Sequence, residues 1–469
     1  MMEYIENQTF DEIEVGASAS LVRTLNLADI QLFAVMSGDV NPAHVDEEYA
    51  KSDLFRKIIA HGMWGGALIS TLLGTKLPGP GTIYLGQTLR FRRPVALGDT
   101  ITVSVTATEK DPEKHRVVFD CKCVNQHGEV VITGSAEVLA PTEKVKRPRT
   151  ILPAVHLHDR GARYRQLIKL ARGLKPIRMA VAEPVDQNAL IGVVEATNAG
   201  LILPTLVGPA AKVDAAATAA GVDISAFPLV ATAHSDEAIA RAVALARAGE
   251  VDALMLASPG SLHTLAFIRA IIDKDSGLGA GRRLSHVFAM DVPTYPRPLF
   301  ITDAMMNTSP DLEAKRQIVQ NAIDLLHALG VEQPRVAILS AVETVIPKIR
   351  STLDAAALCK MTDRGQITGG IVDGPLSFDN AVSETAARND GTVSPVAGRA
   401  DILVAPDLES GSLIAEQLEY LADAESAGIV LGGRVPIVLT SRTDNPLGLQ
   451  ASCAIALLMA HHKRAVKPL

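Results

Sequence analysis

Two short segments near the start of the chain contain the kinds of side chain that move protons. Residues 37–46 read Ser-Gly-Asp-Val-Asn-Pro-Ala-His-Val-Asp, and residues 59–63 read Ile-Ala-His-Gly-Met. Pro42 fixes its own backbone and forces the preceding residue out of helical conformations, so Asp39 and His44 must approach each other across a bend. A carboxylate beside an imidazole can hold a water molecule, accept one proton from it and deliver another to carbon. Hydration of a conjugated double bond requires this chemistry.

A helix is predicted directly after the second segment. Residues 63–73 are apolar or small and read as a buried helix, which Pro78 and Gly79 terminate. Gly62 then lies at the N-terminus of the helix, where backbone N–H groups lack partners and the helix dipole is positive. Such a position can stabilise a developing oxyanion, for example a thioester oxygen that becomes enolate-like.

With these motifs, residues 10–140 resemble the MaoC-like, (R)-specific enoyl-CoA hydratases of the hotdog fold. The signature of that family, Gly-Asp-x-Asn-Pro-x-His followed by His-Gly-Met, occurs at residues 38–44 and 61–63. The resemblance continues through residues 84–91 and 94–99. It implies an α+β hotdog domain that hydrates trans-2-enoyl-CoA to (R)-3-hydroxyacyl-CoA.

The resemblance also implies roles for individual residues. Asp39 and His44 are expected to activate water and protonate Cα, while the N–H of Gly62 polarises the thioester. The resemblance adds Asn41 as a substrate-binding residue and Ser70 as an active-site residue. A serine on a buried helix more often bonds back to the preceding turn, so Ser70 has a structural explanation as well.

Two structural alternatives apply to this motif. Asp39 could cap a helix while His44 lies on the surface, although the length of the motif argues against that interpretation. We interpret His61 as a structural residue.

The length and composition of the chain limit the remaining possibilities. At 469 residues the chain exceeds what one hydrophobic core usually serves. A net charge of −7 offers no basic surface for nucleic acid, and 48% hydrophobic with 4% aromatic residues is typical of an α/β enzyme. The sequence shows no membrane span, signal peptide or cysteine spacing of a metal or redox site. We therefore expect a cytoplasmic protein with no metal, no tightly bound cofactor and no membrane partner.

The strand pattern predicts two domains and a linker. Long antiparallel strands are predicted at residues 101–107, 117–124 and 130–139. One long helix packed against such strands is the hotdog pattern. A short segment rich in proline and basic residues follows. We therefore assign residues 1–140 to the hotdog domain, 141–154 to a linker and 155–469 to a second domain.

In the second domain, helical patterns alternate with short β-branched runs. These runs lie at residues 179–182, 202–207, 229–231, 253–255, 335–339, 402–405 and 437–439. The alternation predicts mostly parallel sheets with crossover helices, which bind ligands at the carboxyl ends of their strands. Polar residues follow several of these runs, namely His263, Thr264 and Arg269, then residues 373–375, and residues 440–444.

The last of these polar segments suits an anion. Arg442 offers two parallel donors to a phosphate, and Ser441 offers a third. Asp444 is a candidate base. Ser-Arg-x-Asp alone is a weak signal, because in an arbitrary protein a turn with an ion pair is the more common explanation.

Residues 155–469 resemble the phosphate acetyl/butyryltransferases, which transfer acyl groups between CoA and phosphate in a cleft between two subdomains. The resemblance is carried by residues 284–288, 373–381, 394–398, 400–404 and 435–442. It implies an α/β domain in which subdomain I covers residues 155–284 and 435–469, and subdomain II covers residues 285–434.

This second resemblance implies a site near the last strand. Ser441 and Arg442 would contact the phosphate and the thioester, with Asp444 as a base for the CoA thiol and Arg269 as a second phosphate contact. The chain departs from the family, however, at several positions that usually carry cations. A lysine that relatives carry in Met-Lys-Gly is absent from residues 255–260, and others are absent near Gly391 and after the Ser-Arg pair. Fewer cations should weaken the capture of a dianionic substrate.

Together the two resemblances predict a bifunctional enzyme of acyl-CoA metabolism. Its expected substrates are CoA thioesters with phosphate or acyl phosphate, and it is expected to form a homodimer or a higher homo-oligomer. An alternative keeps the hydratase but makes the second domain a non-catalytic CoA-binding or oligomerisation module, which the lost lysines would permit. A hotdog thioesterase is a third possibility, although such enzymes do not need the Asp-x-Asn-Pro-x-His spacing.

Overall fold

A computed structural model describes residues 3–153, 155, 157, 159–257, 261–439 and 445–466 of the chain. These residues form two compact units, Met1–Leu157 and His158–Leu469. Across the described parts of both units, no helix is long and apolar enough to cross a membrane.

The N-terminal unit combines an antiparallel sheet with one long helix. Its strands are β1 (Tyr4–Glu6), β2 (Ser18–Thr24), β3 (Ile83–Phe91), β4 (Thr100–Asp111), β5 (Arg116–Val124), β6 (Val130–Leu139) and β7 (Lys146–Pro148). Its helices are α1 (Leu27–Ser37), α2 (Pro42–Val45), α3 (Glu47–Ser52) and α4 (Gly62–Thr75), with a 3-10 helix at Phe10–Glu12. Five strands pair in the order β2-β4-β5-β6-β3, and every pairing is antiparallel.

The sheet packs one face against α4. Strand β4 buries Val103 and Val105 and turns the intervening side chains outward, as the two-residue period of a strand requires. These side chains share a core with Ile69 and Leu72 of α4. Each fully buried aliphatic side chain of this kind contributes roughly 1.5–3 kcal/mol relative to exposure. A helix held by a curved antiparallel sheet confirms the expected hotdog fold.

Helix α4 differs from the expectation in one respect. Only one side of it is buried, because Ser70, Thr71 and Met63 lie on a face that remains exposed. Strand β3 also exposes apolar side chains and lies at one end of the five-stranded sheet. Burial in the core of this unit therefore does not account for all the apolar residues of α4.

Part of the predicted linker is folded into the N-terminal unit. Strand β7 pairs antiparallel with β1. The side chain of Asn7 reinforces this pairing, because its Nδ2 donates to the Glu143 carbonyl (2.8 Å) and its Oδ1 accepts from the Val145 N–H (2.9 Å). The predicted linker therefore contributes a strand to the N-terminal unit.

The C-terminal unit is built on one large sheet. Its strands are β8 (Ile177–Ala182), β9 (Ile202–Gly208), β10 (Leu229–Ala231), β11 (Ala253–Leu256), β12 (Ser285–Asp291), β13 (Leu299–Thr302), β14 (Arg335–Leu339), β15 (Ile371–Leu376), β16 (Ile402–Val404), β17 (Glu425–Leu431) and β18 (Ile437–Val438). Its helices are α5 (Ala162–Ala171), α6 (Gln187–Asn198), α7 (Ala210–Ala220), α8 (Ser235–Ala248), α9 (Ser261–Ile272), α10 (Leu312–Ala328), α11 (Arg350–Asp363), α12 (Phe378–Val382), α13 (Glu384–Asn389), α14 (Leu408–Leu421) and α15 (Pro446–Val466). A 3-10 helix lies at Lys274–Ser276.

The strands follow the order β10-β9-β8-β11-β18-β17-β12-β13-β16-β14-β15. The first five strands are parallel to one another, and so are the last four. Between these groups, β17 and β12 pair antiparallel with their neighbours. The first group comes from the segments assigned above to subdomain I, and the other strands come from those assigned to subdomain II. The mostly parallel α/β class is confirmed.

Candidate active sites

A bend after α1 positions the first candidate site. Helix α1 ends at Gly38, whose left-handed φ of 74° suits glycine, and the Gly38 N–H donates to the Ala34 carbonyl (2.8 Å). Asn41 then caps α2, because its Oδ1 accepts from the Ala43 N–H at 3.1 Å and proline occupies the first helical position. The C-cap at Gly38 and the N-cap at Asn41 lie on either side of Asp39 and turn the chain before it reaches His44.

Three side chains converge at this bend. One nitrogen each of His44 and His61 and one carboxylate oxygen of Asp39 all lie within 4.8 Å of one another. His44 Nδ1 lies 2.9 Å from the Ile59 carbonyl oxygen. Because a carbonyl oxygen can only accept, this nitrogen carries the proton and Nε2 is the basic nitrogen of the ring. The structure therefore brings Asp39 and His44 into one cluster and leaves Nε2 as the basic nitrogen of His44.

His61 contacts both of these residues. Its Nε2–H donates to the backbone carbonyl of Asp39 (3.0 Å), and its ring centroid lies 4.0 Å from that of His44. Phe33 covers the ring from another side, at a centroid distance of 4.9 Å, so that only 2% of His61 is exposed. His61, which the sequence analysis interpreted as structural, therefore contacts both candidate catalytic residues.

Gly62 begins α4 directly after His61, and no side chain caps this helix. A Cβ at this position would come within 3.1 Å of the Phe91 ring, so the absence of a side chain keeps the backbone approachable. A pocket of about 330 Å³ is lined by Gly62 and both histidines, and its apolar walls include Trp64 and Ile132. The pocket combines acid/base groups, a helix N-terminus and an apolar lining.

The structure does not bring Ser70 to this cluster. Ser70 is exposed and follows Gly62 by two helical turns, which is roughly 12 Å along the helix axis. Asn41 uses its side-chain oxygen to cap α2. Their predicted roles in substrate binding and catalysis stay predictions.

Two histidines and a carboxylate are also a common set of metal ligands. In this cluster, however, His44 Nδ1 and His61 Nε2 already donate to backbone carbonyls. The other ring nitrogens, His44 Nε2 and His61 Nδ1, and the Asp39 carboxylate remain as the groups that could bind a water molecule or an ion, and His61 Nδ1 is buried without a partner among the described residues.

In the C-terminal unit, Ser441, Arg442 and Asp444 lie outside the described residues. The structure does describe the strands around them. Strands β8, β11 and β18 are adjacent and parallel, so their carboxyl ends lie at the same edge of the sheet. Arg269 is exposed in the last turn of α9, and its predicted contact with phosphate stays a prediction.

A second cluster lies at this edge. Glu183 follows β8 directly and is 2% exposed. One oxygen of its carboxylate accepts a hydrogen bond from the Ser235 hydroxyl, and the other lies 3.4 Å from His263 Nδ1. The sequence analysis singled out His263 but missed Glu183, for which the available signal was an acidic residue directly after a buried apolar run.

A buried histidine holds the strand that leads to residues 440–444. His286 on β12 is fully buried, and its Nε2–H donates to the Leu439 carbonyl at 2.9 Å. Burial lowers the pKa of His286, so the ring is neutral. Leu439 is the last described residue before the Ser-Arg segment.

A pocket of about 500 Å³ lies at the carboxyl ends of β14 and β16. Its lining includes the hydroxyls of Ser309, Ser340, Ser351 and Ser410 and the cations Lys315 and Arg350. Lys315 Nζ is paired with the Asp354 carboxylate (2.7 Å), and Arg350 Nε lies 3.7 Å from the same carboxylate while the side chain of Arg350 is 67% exposed. Sequence reasoning missed both cations, because nothing in an ordinary helical sequence distinguishes them from surface charges.

Comparisons with known proteins agree with this geometry. Residues 230–457 match the family described as phosphate acetyl/butaryl transferase, and residues 10–125 match the MaoC like domain. A phosphate acetyltransferase from Rhizobium meliloti is 53% identical over 306 residues, which are 65% of this chain and 96% of that protein.

Two solved structures are also similar. The R-hydratase PhaJ1 from Pseudomonas aeruginosa is 47% identical and covers 33% of this chain and 99% of its own, with a TM-score of 0.32. A branched-chain phosphotransacylase from Enterococcus faecalis is 26% identical and covers 61% of this chain and 99% of its own, with a TM-score of 0.53. Both resemblances inferred from the motifs are confirmed. The chain belongs to the phosphate acetyl/butyryl transferase family through its C-terminal unit, and it carries a MaoC like domain in its N-terminal unit.

Proposed function

We propose that the N-terminal unit hydrates trans-2-enoyl-CoA to (R)-3-hydroxyacyl-CoA, and that the C-terminal unit transfers acyl groups between CoA and phosphate. The single observation that carries the first activity is the cluster of Asp39 with His44, which together with Gly62 lines an adjoining pocket. The second activity rests on 53% identity to a phosphate acetyltransferase over nearly its whole length.

The hydration reaction follows from the roles these groups can take. Asp39 and Nε2 of His44 hold the water molecule between them. As the water oxygen bonds to C3 of the substrate, one of its protons passes to this pair, and the pair returns a proton to C2. The thioester oxygen gains negative charge during this step, and the N–H of Gly62 at the positive end of α4 stabilises it. The apolar pocket walls would hold the acyl chain.

The hydratase is tested by adding a trans-2-enoyl-CoA to the full-length protein and following the absorbance of the conjugated double bond. We expect the absorbance to fall and chiral analysis to give the (R)-3-hydroxy product. Release of free thiol without loss of the double bond would contradict hydration and indicate the thioesterase alternative. A chelator should leave the rate unchanged.

For transacylation, we propose that Arg442 and Ser441 bind the transferring phosphate and the thioester, with Arg269 as a further phosphate contact. What supports this is the order of the sheet, because β18, which leads into the Ser-Arg segment, is adjacent and parallel to β11, and the cluster of Glu183 and His263 follows β8 and β11 at the same edge.

The transacylase is tested with CoA and either acetyl phosphate or butyryl phosphate, by following thioester formation. The Arg442→Lys variant keeps the charge but loses the planar fork, so its rate should fall by about 10-fold or more. CoA binding without any turnover in the wild type would instead indicate the alternative, a non-catalytic CoA-binding module. The missing lysine in residues 255–260 is the observation that favours that alternative.

We further propose that the protein is a homodimer formed through its N-terminal unit. Met63 on α4 and Ile83 and Phe91 on β3 are all more than half exposed although they are apolar. Strand β3 is an edge strand, and its unpaired backbone groups can pair with the same strand of a second copy. Light scattering should give the mass of a dimer, and Ile83→Lys should shift it towards the monomer. A monomeric wild type would contradict this proposal.

A further inference from the structure

We infer that the pocket of about 500 Å³ at the carboxyl ends of β14 and β16 is a second ligand site of the C-terminal unit. Its ligand is a small phosphate monoester with a flat apolar part. The site is separate from the proposed transacylase site, because it lies at a different edge of the sheet from the one where residues 440–444 follow β18.

Strand directions place the pocket away from β18. Strands β17, β12 and β13 lie between β18 and β16, and each of the three pairs antiparallel with the strand before it in the sheet. Three reversals leave β13 antiparallel to β18, and β16 and β14 are parallel to β13. The carboxyl ends of β14 and β16 therefore lie at the edge opposite to the carboxyl end of β18. Four strand spacings, or roughly 19 Å, also separate β16 from β18.

The chain leaves β14 and β16 in opposite directions. After β14 it passes through α11 to β15 at one end of the sheet, whereas after β16 it passes through α14 back to β17. The two helices cover opposite faces of the sheet, because Ala355 and Leu358 of α11 belong to a different core from Ala415 of α14. Open α/β sheets bind ligands in the crevice that forms where neighbouring strands diverge in this way.

Cations line this crevice. Lys315 is 5% exposed and is paired with Asp354 (2.7 Å), and Arg350 Nε lies 3.7 Å from the same carboxylate. Two cations therefore share one carboxylate. Asp407 also lines the pocket, but it is the N-cap of α14 and accepts from the N–H (2.8 Å) and the hydroxyl (2.7 Å) of Ser410. The planar fork of Arg350 offers two parallel donors to a phosphate, and Lys315 adds positive charge.

The rest of the lining suits the other parts of such a ligand. Ser351 directly follows Arg350, and its hydroxyl bonds to that of Ser340 (2.8 Å). This bond uses one of the two hydroxyl protons, so the other can be donated to an anion. Phe378 and Ile414 add apolar walls, and Phe378 is 39% exposed, so its ring can pack on a flat group. The volume lies within the range of about 300–1,000 Å³ that small-molecule sites occupy.

The test is the binding of AMP to the full-length protein, measured by isothermal titration calorimetry, with adenosine and inorganic phosphate titrated separately. We expect AMP to bind more tightly than either of its parts. Arg350→Gln should weaken AMP binding by about 10-fold or more, because charge-assisted hydrogen bonds are lost. Phe378→Ala should weaken the binding of AMP but not of phosphate. Arg364→Gln is the matched control, since Arg364 is exposed at the other end of α11, roughly 20 Å away.

Several outcomes would overturn the inference. Absence of AMP and phosphate binding at millimolar concentration would exclude a phosphate site, and equal affinities for adenosine and AMP would exclude a role for the phosphate group. Tighter binding of butyrate than of phosphate would indicate a carboxylate ligand instead. Equal losses in Arg350→Gln and Arg364→Gln would indicate general surface charge. A matching rise of the KM for CoA in Arg350→Gln would make the pocket part of the transacylase site. A wild type without transacylase turnover would reject that proposed activity alone, because AMP binding is measured directly.

Discussion

In both units, a buried histidine forms a hydrogen bond to the backbone next to the candidate site. In each, a buried histidine donates from Nε2 to a backbone carbonyl, of Asp39 in the N-terminal unit and of Leu439 in the C-terminal unit. In each, Nδ1 of that histidine is buried and has no partner among the described residues. A buried imidazole cannot exchange its partner for water, so it fixes the backbone it binds.

The two hydrogen bonds differ in the sequence separation of the residues that they join. His61 holds a residue that lies 22 positions away and packs directly on the candidate base His44. His286 on β12 binds Leu439 across 153 positions and across β17, which lies between β12 and β18 in the sheet. The N-terminal cluster is therefore a local structure, whereas the hydrogen bond of His286 depends on the pairing of distant strands.

The largest effect is expected from substituting the two residues of the dyad. Asp39→Asn and His44→Ala should each lower kcat for hydration by roughly 100-fold to 10,000-fold, because both groups act on the same proton transfers. Transacylation measured on the same samples should not change, since the sites lie in separate units. A variant that retains near wild-type hydration would remove that residue from the mechanism. His127→Gln, in an exposed turn, is the control.

A smaller effect is expected from the residue that positions the dyad. His61→Phe keeps an aromatic ring but loses the bond to the Asp39 carbonyl, so kcat should fall by about 10-fold with little change in KM. His61→Gln can place an N–H near the position of Nε2 and should recover part of this loss. Equal damage to KM and kcat in both variants, with a lowered Tm, would show that His61 only supports the fold.

The titration of His286 should contribute to the pH dependence of the free energy of unfolding. Burial lowers the pKa of His286, and the Leu439 carbonyl and Asp303 oppose this effect only in part. Below about pH 6.5, His286 becomes protonated in the unfolded chain but stays neutral in the folded protein. Acidification should therefore cost up to about 1.4 kcal/mol of unfolding free energy per pH unit, until the lowered pKa is reached.

Denaturant unfolding at pH 7.5 and 5.5 measures this effect. His286→Gln should be less stable overall but should lose less stability on acidification than the wild type. His461→Gln, at the partly exposed end of α15, should keep the wild-type pH slope. An identical slope in wild type and His286→Gln would contradict the assignment of a neutral buried ring.

The smallest effect is expected from separating the units. A fragment of residues 1–150 retains β7 and its pairing with β1, so it should fold and hydrate within about twofold of the full-length rate. A fragment ending at residue 145 loses that pairing and should have a lower Tm. An inactive 1–150 fragment would show that the hydratase needs the C-terminal unit.

Sequence reasoning worked best where patterns are local. The antiparallel strands of the N-terminal unit show alternating burial, and their predicted bounds agree closely with β4, β5 and β6. In the C-terminal unit, the seven predicted β-branched runs correspond to parallel strands, including β14 at Arg335–Leu339. Such runs are recognisable because each is short, apolar and separated from the next by a helical pattern.

The strands in the middle of the large sheet were not predicted. Strands β12 and β13 are buried at every position, so they show no two-residue period, and β12 and β17 run antiparallel to their neighbours. A helix does not separate β12 from β13, and a buried run without alternation can equally belong to a helix. The pairing of the two parallel groups through these strands is a long-range property.

The sequence by itself determined both families, the class of chemistry and the local geometry of the dyad. Its motif places an acid, a proline-fixed bend, an imidazole and a helix N-terminus within 25 residues, so caps between near neighbours suffice to assemble them. Only the tertiary structure decided that His61 contacts the dyad, that Glu183 lies against His263, and that His286 holds Leu439. The physical reason is that parallel strands bring residues together at their carboxyl ends regardless of their separation along the chain. The order of the strands cannot be predicted from a local sequence pattern.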